Sequence, residues 1–234
     1  MTTLNIAGIP VGINNKYPLS QWNCEEHIVS ASPLFIVSAT KKEVQEEYDR
    51  LKGEFSFADC ESNCLYRKVS IGMLQYDAFL LHAAVVAVDG EGYVFTAPGG
   101  TGKSTHANYW MQEFGNRAVL INGDKPMIRL MNDKFYVCGT PWHGKERLGC
   151  AEIVPLKAIC LLERGAKNEI ALADTDKVLD KIFNQVLLPE DAEQMIKQLD
   201  LMDRLIREVP IFNLKCNMSR EAALVAYRGI NDMK

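Results

Sequence analysis

The residues best equipped for chemistry lie in one stretch, Ala97-Pro98-Gly99-Gly100-Thr101-Gly102-Lys103-Ser104-Thr105. Its Gly-x-Gly-Lys-Ser part has the composition of a phosphate-binding loop. Glycines let successive backbone amides point into one cavity, and a helix starting at the lysine adds positive potential there. In such a loop Gly99 to Thr105 wrap nucleotide phosphates, Lys103 reaches the β- and γ-phosphates, and Ser104 offers its hydroxyl to Mg²⁺. The first position of the Walker A pattern, usually glycine, is Ala97 here. The alternative for these residues is a glycine turn that binds no phosphate.

Two later segments add candidates. Ala118-Val-Leu-Ile-Asn-Gly-Asp124 is an apolar run ending in a carboxylate. Beside a phosphate loop, Asp124 either holds Mg²⁺ or accepts the proton of an attacking hydroxyl; by itself it reads equally as a turn aspartate. The segment 139–147, Gly-Thr-Pro-Trp-His-Gly-Lys-Glu-Arg, gathers Trp142, Lys145, Glu146 and Arg147. It is either a phosphate-gripping loop with a stacking tryptophan or a solvated loop. His82 sits in an apolar run and reads as a satisfied core histidine or a catalytic one.

These residues need elements to position them. The run 81–88 predicts a strand that turns at Asp89-Gly90, and 93–97 predicts the return strand entering the glycine loop. A helix is expected over 103–114, a buried strand over 118–122, a hairpin around Met131-Asn-Asp-Lys134 and a strand over 159–162. Upstream, 4–13 reads as strand-like and 33–39 is a second apolar run. Thr40-Lys-Lys-Glu43 forms a capping box for a helix bearing Val44, Tyr48 and Leu51, and a second helix covers 65–76. The C-terminal third predicts helices over 175–188 and 190–208, a strand over 211–214 and a helix over 220–230 capped by Ser219. In 190–208 the residues Met195, Leu199, Met202 and Ile206 form a core-facing stripe. Mixed strands and helices make the chain α/β or α+β.

Composition sets outer bounds. The chain has 234 residues, 47% hydrophobic and 24% charged, which suits one large globular domain or one domain with an extension. The division expected is an N-terminal strand and helix lobe over 1–78 and a core over 79–234, unless the two form a single domain. A net charge of −4 without a basic block argues against nucleic acid as partner. No run is long and apolar enough for a bilayer, and no signal peptide is expected at the N-terminus. Seven scattered cysteines do not read as a disulfide framework, and Cys60 and Cys64 lack a second pair for zinc. The expected location is the cytoplasm.

The segments His82-Ala-Ala-Val-Val-Ala-Val-Asp-Gly, Tyr93-Val-Phe-Thr-Ala97 and Pro98-Gly-Gly-Thr-Gly-Lys-Ser104 resemble the C-terminal catalytic domain of HPr kinase/phosphorylase, and the nucleotide core of PEP carboxykinase, which shares its fold. The resemblance runs from about residue 80 to 162. It implies a mixed, curved β-sheet with a P-loop and packed helices, and ATP and Mg²⁺ as cofactors. Gly100, Gly102, Lys103 and Ser104 are then assigned to phosphate and metal, Asp124 to metal or base, and His82 to the neighbourhood of the transferred phosphate. Glu146 corresponds loosely to a metal-binding glutamate; Lys145 or Arg147 as a phosphate clamp is read from the charge of their own segment and not from the resemblance. HPr kinases usually end the acidic strand with two aspartates; here the pair is Gly123-Asp124. The absence of the long N-terminal domain of full HPr kinase weighs against HPr as substrate, and PEP carboxykinase's metal Lys/His set is not found.

The expectation is therefore an ATP-dependent kinase transferring the γ-phosphoryl group to a hydroxyl. The acceptor expected is a serine of a peptide or protein, with a small hydroxylated metabolite second. Competing readings are a plain ATPase or GTPase, a nucleotide-sensing interaction protein and a domain without nucleotide. Homo-oligomerisation and reversal of the reaction stay open.

Overall fold

The computed structural model describes residues 1–18, 24–144 and 147–232. Strands β1 (Thr2–Ile6) and β2 (Ile9–Asn14) form an antiparallel hairpin, and β3 (Phe35–Ser38) runs parallel to β2. The run read as one strand over 4–13 is thus two, because Ala7 and Gly8 turn the chain with φ of 50° and 82°. Helix α1 (Lys41–Arg50) begins at the Thr40/Glu43 capping box expected from sequence. Helix α2 (Phe57–Gly72) starts well before residue 65, since Ser56 and Asp59 make a second capping box; a 3-10 turn, Met73–Tyr76, extends it. The buried Glu47 carboxylate ties the helices together, accepting from Arg50, Arg67 and Asn63. Burial works to raise its pKa, but the two guanidiniums hold it at about 2. On α2, Glu61 accepts from the backbone amides of Lys16 and Tyr17 just after β2.

The larger sheet begins with β4 (Ala78–Leu80), β5 (Ala83–Val88) and β6 (Glu91–Thr96). The strand expected over 81–88 is interrupted at its start. Leu81 bridges to Val186 and the His82 amide donates to the Gln185 carbonyl, so His82 lies between two strands rather than inside one. Strands β5 and β6 close through Asp89 and Gly90, both with positive φ. Helix α3 (Lys103–Phe114) follows the glycine loop, then β7 (Ala118–Asn122), β8 (Met127–Met131), β9 (Lys134–Cys138), β10 (Ile153–Arg164) and β11 (Glu169–Leu172). Helices α4 (Thr175–Phe183) and α5 (Ala192–Glu208), strand β12 (Ile211–Cys216) and helix α6 (Glu221–Asp232) complete the chain.

The strand order is β4-β8-β9-β10-β6-β5-β7, with β12 also paired to β10 and β11 to β12. The β6–β10 and β10–β12 pairs are parallel and the others antiparallel, so the sheet is mixed. Strand β10 is where it branches. Residues Ile153 to Pro155 pair with β9, while Ile159 to Leu161 lie between β6 and β12.

Period-2 alternation covers both faces. From β5, Ala83, Val85 and Ala87 join a core with α4 and α5, while Ala84, Val86 and Val88 join one with α3 and α6. A third core unites Leu4, Val11, Leu65 and Val69 of the N-terminal part with Leu80, Met127, Cys138 and Trp142. In α5 the buried residues are Gln198, Leu201, Met202 and Leu205; Leu199, expected in the stripe, is exposed. The 3.6-residue period places the contact face one position away from it. Helix α4 ends at Phe183 instead of continuing to 188, and the next residues supply Gln185 to His82. Helix α6 begins at Glu221, and the Ser219 hydroxyl accepts from Asn168. Among the described residues no helix is long and apolar enough to cross a membrane.

Helix α3 is anchored by His106, which accepts from Trp110 Nε1 at 3.0 Å and packs edge-on to Phe95. Burial alone lowers its pKa to about 4. Between that value and the ordinary 6.5 the unfolded chain binds the extra proton, so stability is full above about pH 6.5 and falls as pH drops towards 4. The expected loss is of the order of 3 kcal/mol, measurable as a urea midpoint that declines over this range. His106→Gln keeps an acceptor for Trp110 and should flatten the decline; some slope remains from His27, which burial shifts in the same direction.

Candidate active site

The glycine loop leaves β6 at Thr96 and enters α3 at Lys103. Gly100 and Gly102 have φ of 76° and 118°, so side chains there would be strained. A Cβ added at Gly99, Gly100 or Gly102 would meet no atom within 4 Å, so nothing in the chain's own packing fills the space in front of these backbones. Gly102, the N-cap, has no side chain to satisfy the first-turn amides, and α3 carries no acidic residue in its first turn. Those amides and the helix dipole therefore face the cavity unneutralised. Lys103 is buried, and its Nζ donates to the Ala97 carbonyl at 2.9 Å. Burial pulls its pKa below the ordinary lysine value; Asp124 opposes that shift and Lys125 adds to it. On the outer side of the loop, Arg164 donates to the Gly100 and Thr101 carbonyls.

Across a cavity of about 580 Å³ from Lys103 and Ser104 stands Asp124. Its Oδ1 lies 3.2 Å from His82 Nε2 and its Oδ2 2.8 Å from Lys125 Nζ. Burial works to raise its pKa, but His82 and Lys125 outweigh it and hold the carboxyl well below the usual range. Asn122, fully buried at the end of β7, fixes the turn. Its Oδ1 accepts from the amides of Asp124 and Lys125, and its Nδ2 donates to Thr140. On the other side of the imidazole, His82 Nδ1 is 3.0 Å from Gln185 Oε1. A glutamine amide meets either protonation state of that nitrogen by presenting oxygen or nitrogen.

Residues 139–144 and 147–149 approach this carboxylate and its turn very closely with their backbone. A Cβ on Gly144 would come within 2.8 Å of Asp124 Cβ, and one on Gly149 within 2.1 Å of His143 Nδ1. Gly123 is explained the same way, since its Cβ would lie 2.9 Å from the His143 carbonyl oxygen. The space that a side chain at position 123 would need is occupied by loop backbone. Trp142 is buried, edge-on to Tyr66, and donates from Nε1 to Ser62 on α2. It is a wall residue instead of an exposed stacking platform.

Gly99, Gly100, Gly102, Lys103, Ser104 and Thr105 line the larger cavity together with His82 and Asp124. Thr101 lies on the outer side of the loop, near Arg164. Arg147 lines a neighbouring cavity, away from the glycine loop. Lys145 and Glu146 lie outside the described residues. Lys125, Asn122 and Gln185 are assigned no role by any motif in the sequence, yet the fold brings all three to this site. Lys125 was within reach, being adjacent to Asp124 and oppositely charged; nothing local marks Gln185. As to magnesium, no cluster of three His, Cys, Asp or Glu side chains able to hold a metal is found among the described residues. Mg²⁺ commonly takes one or two protein oxygens beside substrate phosphates and water, and Ser104 and Asp124 on one cavity match that donor set.

No protein-family model matches the chain, and no curated protein matches it. Among solved structures it is similar to the Hpr(Ser) kinase/phosphatase from Coxiella burnetii, at 11% sequence identity and a TM-score of 0.36. That alignment covers 66% of this chain and 92% of the other. The likeness assigns no activity and no residue role here.

Proposed function

We propose that the protein is an ATP-dependent phosphotransferase that moves the γ-phosphoryl group of ATP to a hydroxyl, preferably a serine of a peptide or protein. The reading rests on one observation: the glycine loop, with Lys103 and the open end of α3, faces the Asp124–His82 pair across a single cavity. Loop amides and Lys103 bind and orient the phosphates and stabilise charge that develops on them. Ser104 and Asp124 would hold Mg²⁺, which would supply charge neutralisation to the β- and γ-phosphates.

The acceptor oxygen attacks the γ-phosphorus, and the bond from that phosphorus to the bridging oxygen breaks, releasing ADP. A carboxylate held as low as Asp124 is a weak proton acceptor. It therefore orients the hydroxyl by accepting its hydrogen bond and takes the proton late, passing it to solvent. A loose phosphoryl-transfer transition state tolerates this, because little deprotonation is needed before the phosphorus–oxygen bond forms. His82, with Nδ1 facing Gln185 and Nε2 facing Asp124, holds the carboxylate in place.

Lys103→Ala is expected to weaken ATP binding by about ten-fold or more in equilibrium dialysis with labelled ATP. Asp124→Asn is expected to cost about a hundred-fold in turnover while ATP affinity stays within a few-fold. Normal turnover in either variant overturns the assignment; binding without turnover by the native chain identifies a sensor. His82→Ala and Lys125→Met each remove a group that lowers the Asp124 pKa. Carbon-detected NMR titration should find the Asp124 carboxyl protonating at higher pH in both variants. An unchanged titration removes the proposed role of the pair.

A further inference from the structure

A second cavity, of about 380 Å³, lies beside the first, between α2 and residues 141–144 together with Arg147. Asp124, His143 and Gly144 line both, so one carboxylate is the meeting point of two spaces. In-line displacement puts the entering and leaving oxygens on opposite sides of phosphorus. An acceptor must then reach Asp124 from a space the nucleotide phosphates do not occupy. We propose that this second cavity is the acceptor site and that α2 supplies the side chains that read the acceptor; the inference rests on the phosphotransfer reading.

The walls define the chemistry. Tyr66 and Trp142 meet edge to face, with ring centroids 6.1 Å apart, and Phe55 adds a third aromatic at the rim. Ser62 and Asn63 bring hydrogen-bonding groups from the same helix. Lys125, whose Nζ lies 5.0 Å from the Tyr66 ring centroid, stands between these walls and Asp124. The volume is at the lower end of ligand pockets, roughly 300–1,000 Å³. Such a space takes a hydroxyl carried on a compact unit with a flat or apolar portion, whether a serine with its neighbouring side chain or a small free molecule. The walls are held rigidly. Trp142 donates to Ser62 at 3.2 Å, and α2 is fixed through Glu47 to α1 and through Glu61 to the chain after β2. Preorganised walls of this kind reduce the ordering cost of binding.

The test uses the full chain, γ-labelled ATP with Mg²⁺, and a lysate of the organism that makes the protein, split by ultrafiltration into macromolecular and small-molecule fractions. Ser62→Phe fills the cavity without touching the glycine loop, and Asn63→Trp does so from the next position should the first variant not fold by thermal unfolding. Label transfer should fall by about ten-fold or more in the folded variants, while labelled ATP binds with native affinity. Label in the macromolecular fraction identifies a serine source; label in the small-molecule fraction identifies a free hydroxylated compound. Transfer at the native level in a folded variant overturns the acceptor assignment, as does a parallel loss of ATP affinity, which would give the wall to the nucleotide. Lys103→Ala separates the two levels: if it labels like the native chain, the phosphotransfer reading itself is at fault. Native protein that binds ATP yet labels neither fraction overturns both.

Discussion

An ionised carboxylate that is largely removed from water has to be paired, and the pairing of Asp124 governs the centre of this molecule. Its two oxygens face His82 and Lys125, from different sides. The cost of withdrawing the charge from solvent is offset only while both partners hold their positions. Asn122 and Thr140 therefore brace the turn that carries Asp124 and Lys125, and Gln185 braces His82 from the far side of its ring. Each brace comes from a different element, so the carboxylate acts as a clasp joining β7, the start of β5, the segment after β9 and the turn after α4.

The sheet explains why these parts converge. Strand β6, which feeds the glycine loop, lies between β5 and β10, and β10 runs parallel to it. In open sheets with parallel strands, ligands collect where strand ends and their following loops leave a crevice. Here the crevice receives the loop after β6 and the turn after β7, while β5 begins at its margin beside His82. Helix α3 directs its unneutralised N-terminus into the same space. Across the cavity the positive end of α3 and Lys103 face the Asp124 carboxylate, whose charge His82 and Lys125 also share.

Glycine serves two purposes at this centre. In the loop 97–105 it permits backbone angles that leave amides facing open space, and at Gly139, Gly144 and Gly149 it permits contact. The second use has a cost for any catalytic pair of carboxylates, because a side chain at position 123 would collide with the His143 carbonyl. The close backbone approach in turn brings Trp142 against α2 and forms the second cavity. The N-terminal residues are thereby tied to the surroundings of Asp124 through Tyr66, Ser62 and Trp142, and their core is continuous with Leu80, Met127 and Cys138 of the larger sheet.

Features decided within a few residues were legible in the amino-acid sequence. The capping box at Thr40, helix 103–114, strand 118–122 and the hairpin around Asn132 and Asp133 all follow from short-range hydrogen bonding, backbone angles and periodicity. So did the glycine loop and Asp124 as candidates, since their chemistry is carried by adjacent residue types. Leu199 faces outward and 81–88 is interrupted at Leu81, because apolar content does not say which face a neighbour will cover. What only the tertiary structure decided are the contacts between distant segments: His82 with Gln185, Ser62 with Trp142, and two cavities meeting at one carboxylate. Such contacts depend on how closely backbones pack, and that is fixed by the assembled sheet and its glycines, with no periodic trace along the chain.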